Sequence, residues 1–99
     1  MAERIQTRHP DRNKQGVNID RAKYEAMKDA IVSTLRAEGE LTFDTLARAV
    51  EQKFHGKFDG SIRWYFTTVK LDLEARHVLQ RVPGSSPQRI QLAAPSDHS

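Results

Sequence analysis

The sequence predicts an α+β fold made of three helices and a small antiparallel β-sheet that closes in a β-hairpin. Two observations carry that prediction. Three segments repeat apolar residues at helical spacing between turn signals. The last third then runs from Leu73-Glu74-Ala75-Arg76-His77 into Val78-Leu79-Gln80-Arg81-Val82, through Pro83-Gly84-Ser85-Ser86-Pro87, and out through Gln88-Arg89-Ile90-Gln91-Leu92. Helix, strand, tight loop and strand follow one another without a linker. With 99 residues and 37% apolar content, the chain holds material for one small domain with one modest core.

Residues 1–18 are polar and aperiodic and contain Pro10, Gly16 and Asn18, so they are expected to form an irregular arm, with Ile5, Val17 and Ile19 available to pin part of it to the domain. Asp20 suits the N-cap of the first helix, and Ile19 and Tyr24 are spaced to form a hydrophobic staple across it. Tyr24, Met27, Ile31 and Leu35 share one helical face, and Gly39 supplies the left-handed residue that ends the helix. Glu40-Leu41 leaves room only for a short strand before Thr42, the expected cap of the second helix, whose apolar stripe is Phe43, Leu46, Ala47, Val50 and Phe54. The stretch His55-Gly56-Lys57-Phe58-Asp59-Gly60 breaks that pattern and is expected to be a loop plugged into the core by Phe58.

The third helix is expected from about Ser61 to Arg76. Stepping 100° per residue places Ile62, Tyr65, Phe66, Val69 and Leu73 on its core face, and Trp64, Thr68, Leu71 and Ala75 on a second, weaker stripe. Arg63, Thr67, Lys70 and Glu74 remain as a narrow polar line expected to face solvent. His77 stands where the chain must reverse, a position that favours glycine with positive φ. Alternation of Val78, Gln80 and Val82 with Leu79 and Arg81, and of Ile90 and Leu92 with Arg89 and Gln91, gives each hairpin strand one face to bury. The expected domain is therefore 19–92, with 93–99 a disordered tail.

That order of elements resembles the winged helix-turn-helix superfamily, most diagnostically in the stretch from Val69 to Val82. The resemblance implies a three-helix winged helix whose β-hairpin is the wing. The combination of Lys14-Gln15-Gly16-Val17-Asn18-Ile19-Asp20, Trp64-Tyr65 and Pro83-Gly84-Ser85-Ser86-Pro87 also resembles a family of small bacterial proteins of unknown function. Two departures from a plain DNA-binding winged helix are His77 in place of glycine and a long loop between the second and third helices.

Charge and composition narrow the function. The net charge of +3 is unevenly spread: residues 1–21 carry five basic against three acidic side chains, and residues 60–92 carry Arg63, Lys70, Arg76, Arg81 and Arg89 against Asp72 and Glu74. In a winged helix, the arm and the helix-plus-wing segment are the parts that meet DNA. DNA binding in a regulatory or nucleoid-associated role is the favoured expectation. Arg63 would read a base, Thr67 a methyl or phosphate, and Lys70, Arg81 and Arg89 phosphates.

The alternative is a protein-interaction module, or a homodimer, that uses Trp64, Thr68 and Leu71. Trp64 is expected by default to pack against the arm or the first helix; left open, it would mark an interface. The absence of cysteine and the scattered positions of His9, His55, His77 and His98 argue against metal, and no cofactor motif, phosphate loop or catalytic constellation is present, so no enzyme is expected. No apolar run approaches the roughly 18 to 20 residues of a membrane span, and the expected location is cytoplasmic.

Overall fold

Each helix begins at a side-chain cap and ends where its apolar stripe runs out. The computed structural model describes residues 3–11, 13–84 and 86–93. Helix α1 (Arg21–Glu38) is capped by Asp20, whose carboxylate accepts from the Lys23 amide at 3.0 Å, and it buries Tyr24, Met27, Ala30, Ile31, Thr34 and Leu35. Gly39, at φ 89°, closes it and donates to the Leu35 carbonyl at 2.8 Å. Helix α2 (Phe43–Lys53) is capped by Thr42 and buries Leu46, Ala47 and Val50. Helix α3 (Ile62–Ala75) is capped by Ser61 and buries Phe66, Val69 and Leu73 in the same core. Phe58 plugs the loop between α2 and α3 by stacking edge-on between Phe54 and Tyr65, with ring centroids 5.0 and 5.2 Å away.

Three short strands complete the domain on one side. Strands β3 (Glu40–Thr42), β4 (Leu79–Arg81) and β5 (Arg89–Leu92) form an antiparallel sheet in the order β3-β5-β4. Leu41 pairs with Ile90, and Ile90 pairs with Arg81 on its other side. Leu79 and Ile90 point into the core. Ala93 extends the pairing by donating to the Val78 carbonyl at 2.9 Å. The rest of the expected tail, 94–99, and Arg12 and Ser85 lie outside the described residues.

The arm departs from expectation. It is not irregular throughout: β1 (Arg4–Gln6) and β2 (Asn18–Asp20) pair antiparallel, with Ile5 opposite Ile19. Three-residue strands are too short to show a period of two, and Asn18 and Gly16 read as breakers. Gly16 is in fact required by the hairpin, because a Cβ there would lie 2.0 Å from the Thr7 carbonyl oxygen. That close approach lets Thr7 donate its amide (2.8 Å) and its hydroxyl (3.0 Å) to the Val17 carbonyl, while the Val17 amide donates back to Thr7 Oγ1 at 2.8 Å.

Asp72 ties the arm to the helices. Its side chain is 0% exposed and accepts from the Tyr24 hydroxyl of α1, from the Arg8 amide of the arm at 2.8 Å and from Arg76 Nε at 2.9 Å to both oxygens. Arg76 also reaches the Gln6 carbonyl at 3.4 Å. On the helical wheel, Asp72 lies beside Tyr65, at the edge of the core arc that faces α1.

Just beyond Asp72, at the C-terminal end of α3, the chain reverses as the sequence predicts. His77 has φ 65°, its amide donates to the Glu74 carbonyl at 3.1 Å, and the Val78 amide donates to the Leu73 carbonyl at 2.9 Å. This pair of bonds is the Schellman arrangement, which places a left-handed residue at His77.

Two outcomes follow from this geometry. His77→Gly is expected to stabilise the domain by up to about 1 kcal/mol, since removing the side chain relieves the left-handed backbone by more than glycine adds to unfolded-state entropy. A lower melting temperature would contradict that.

Burial, with the bond to Asp72 adding to it, raises the Tyr24 phenol well above the ordinary tyrosine value. The neutral phenol is thus favoured in the folded state, and its stabilising contribution is complete below about pH 10 and is lost as pH rises beyond that toward the raised value. In an alkaline absorbance titration, one of the two tyrosines should ionise only as the domain unfolds, and Tyr24→Phe should remove that delayed step. Ionisation of Tyr24 near pH 10 with far-UV circular dichroism unchanged would contradict it.

Candidate functional site

The polar line expected on α3 does not face solvent as a line. Within α3 the exposed residues are Arg63 and Trp64, both in the first turn; from Tyr65 to Arg76 every residue is at least partly buried. Helix α2 walls one side. The arm lies over the C-terminal half: the Arg8 amide bonds Asp72, Pro10 shares a cleft with Glu74, His77 and Gln80, and Arg8, Lys14 and Gln15 share another with Ala75. The expectation of an irregular arm, pinned at most through Ile5, Val17 and Ile19, gave no signal for this cover.

The five residues expected to touch DNA fare differently. Lys70 is corrected outright, being 8% exposed. Its ammonium lies 3.3 Å from Glu74 and 5.5 Å from the centroid of the Phe43 ring, a cation–π contact supplied by α2. Glu74, also largely buried, takes a second contact from Arg81 Nε at 3.3 Å. Arg63 stays partly exposed, but its guanidinium forks onto both Glu51 oxygens at 3.2 and 3.3 Å and lies 3.9 Å from Asp44. The hydrogen bond to Glu51 is the main cause of its raised pKa. Arg89 reaches Glu40 at 3.3 Å, and Thr67 is half-buried. Every basic residue of the expected DNA face therefore has a carboxylate partner within the domain. Phosphate contact at these positions would first require breaking an ion pair, although exposed pairs of this kind are worth only about 0 to 1 kcal/mol each.

The second group of candidates stays closer to the surface. Trp64 is 47% exposed, so the default expectation of burial against the arm or α1 is overturned. It falls outside the core arc. Thr68 and Leu71 are half-buried behind it. The indole is nonetheless held in place: it meets Tyr65 edge-on at 4.9 Å, Tyr65 meets Phe58 at 5.2 Å, and Phe58 meets Phe54 at 5.0 Å. Lys23 lies over the Tyr65 ring, 5.4 Å from its centroid, and 3.7 Å from Asp59. Four rings thus run from the end of α2 to the surface at the first turn of α3. Such T-shaped pairs contribute about 0.5 to 1.5 kcal/mol each beyond their burial, which favours one fixed indole orientation.

Comparison with known proteins adds a family. The family of unknown function DUF6958 matches residues 4–90, most of the chain and all of the elements except the end of β5. The chain belongs to this family. No curated protein and no solved structure matches it. The span from residue 4 gives the DUF6958 match the arm hairpin as well as the three helices. Among the described residues, no helix of this DUF6958 protein is long and apolar enough to cross a membrane, and no group of three or more His, Cys, Asp or Glu residues is placed to hold a metal ion.

The chain has a single tryptophan, which makes its exposure directly measurable. Its fluorescence should be quenched readily by acrylamide in the native protein, with emission at longer wavelength than a buried indole. Trp64→Ala should cost no more than about 1.5 kcal/mol, the worth of one edge-on ring pair. Blue-shifted, protected emission together with a loss of about 3 kcal/mol or more, typical of buried aromatic truncation, would place Trp64 in the core.

Proposed function

We propose that the protein is a protein-interaction module on a winged-helix scaffold, with Trp64 as the anchor of its contact surface. The scaffold assignment is supported by the element order and by the sheet order β3-β5-β4, in which the strand after α1 pairs with the second strand of the C-terminal hairpin. The observation that carries the functional reading is the half-exposed Trp64 at the end of the aromatic row. Binding hot spots are enriched in tryptophan, and an aromatic held in its bound orientation loses little entropy on association. The occupant is a segment of another protein laid along the outer stripe of α3, over Trp64, Thr68 and Leu71.

The DNA-binding reading retains one specific support. The side chains of Arg81 and Arg89 on the hairpin are 58% and 50% exposed, near enough to solvent to exchange Glu74 and Glu40 for phosphates. Against it stand the burial of Lys70 and the arm over the C-terminal half of α3, which leave a groove-entering helix only its first turn.

The two readings separate in one set of measurements. A photo-crosslinker at position 68 should capture a protein partner, and Trp64→Ala should abolish capture while leaving the fold intact. Capture of a second copy, matched by a dimer in sedimentation that Trp64→Ala disperses, would name the partner. Affinity for mixed-sequence duplex that falls steeply with salt, persists in Trp64→Ala and is lost in Arg81→Gln/Arg89→Gln would overturn the proposal in favour of DNA.

A further inference from the structure

We infer that the cleft between the arm loop and the last turn of α3 is a binding site for a phosphate group, carried as free phosphate or as a phosphomonoester. The cleft has a volume of about 640 Å3 and is lined by Arg8, His9, Lys14, Gln15, Gly16 and Ala75. This volume falls within the range of small-molecule sites. The inference is independent of the Trp64 surface, which lies at the opposite end of α3.

Charge accounting points to an anion. The basic residues of α3 and the hairpin are neutralised by carboxylates, as described above, whereas Arg8 and Lys14 have no ion pair among the described residues. The acids around the cleft are already engaged. Asp11, the one acid of the loop, turns its carboxylate to the Asn13 amide at 2.9 Å and makes no ion pair with Arg8 or Lys14 among the described residues. Asp72 is occupied by Tyr24, the Arg8 amide and Arg76, and Glu74 by Lys70 and Arg81. The cleft therefore keeps two positive side chains with no ion-pair contact among the described residues, matching a dianion better than a single carboxylate.

The surroundings favour the same ligand. A helix C-terminus ordinarily repels an anion, because its last carbonyls point outward. Here three of them are covered: Asp72 O accepts from the Arg76 amide at 2.9 Å, Leu73 O from Val78 at 2.9 Å and Glu74 O from His77 at 3.1 Å. His9 accepts from the Asp11 amide at Nδ1 at 3.0 Å, so in the neutral ring the proton sits on Nε2, where it is available as a donor. The ends of the loop are also fixed in advance. Thr7 and Val17 clamp its two ends, and the Arg8 amide is anchored on Asp72. Preset donors lower the ordering cost of binding a small anion.

The test is a ¹H–¹⁵N NMR titration of the full chain, in a buffer free of phosphate and at low salt, with inorganic phosphate, AMP, adenosine and a glutamate-rich peptide in separate arms. The amides of Arg8, His9, Lys14, Gln15 and Gly16 should shift saturably with phosphate and with AMP, and not with adenosine. Tighter binding of AMP would identify a phosphomonoester as the ligand, and equal binding free phosphate. Arg8→Gln/Lys14→Gln should weaken binding by at least about tenfold, the worth of one charge-assisted contact. The control Lys28→Gln/Lys57→Gln, which removes lysines elsewhere, should leave it unchanged. Arg8→Lys/Lys14→Arg should retain binding, which separates loss of charge from loss of fold. The inference is overturned by shifts that do not saturate, by equal weakening in the control variant, or by the peptide shifting these amides while phosphate does not.

Discussion

Asp72 is a carboxylate with no solvent contact in a domain small enough that a single uncompensated buried charge would threaten its stability. Removing a carboxylate from water costs several kcal/mol unless its oxygens are satisfied. Here they accept from a phenol on α1, a backbone amide on the arm and a guanidinium one helical turn away. The donors come from three parts of the chain that are far apart in sequence. Each must be in place for the charge to be tolerated, so the network specifies one arrangement of arm, α1 and α3 where apolar packing alone would accept several.

The rest of the surface follows from that arrangement. Because the Arg8 amide is drawn onto Asp72, the loop between β1 and β2 crosses the C-terminal half of α3, and the helix keeps only Arg63 and Trp64 exposed. The same crossing brings Arg8 and Lys14 beside Ala75, where they have no acidic partner among the described residues. On the other flank, Phe43 of α2 and Glu74 enclose Lys70. Helix α3 is thus a largely covered element with two separate accessible features: an aromatic at its start and a basic cleft at its end.

Much of the fold was legible in the sequence because its signals are local. The caps at Asp20 and Thr42, the stop at Gly39, the apolar arcs of the three helices, the Phe58 plug and the left-handed His77 each depend on a few neighbouring residues, and all appear where spacing places them. What was not legible depends on contacts between distant segments. The β1–β2 pairing rests on three residues per strand and on the Thr7–Gly16 approach, which no periodicity reveals. The burial of Lys70 and Glu74 depends on neighbours from α2 and the arm. A signal for Asp72 was present in the Asp72–Arg76 spacing of four and in the need of a core tyrosine for a hydroxyl partner, but it becomes decisive only once α1 is laid against α3.

Native-state hydrogen exchange comparing the wild type with Asp72→Asn measures the central claim directly. The asparagine keeps the size of the side chain and removes its charge, so the core should survive while the arm loses its anchor. The account predicts that the amides of Thr7, Arg8 and Val17 lose protection by at least about tenfold, the equivalent of one charge-assisted hydrogen bond, while amides in the middle of α2 change several-fold less. Unchanged protection in the arm, or an equal loss in the arm and α2, would show that Asp72 does not hold the arm on α3.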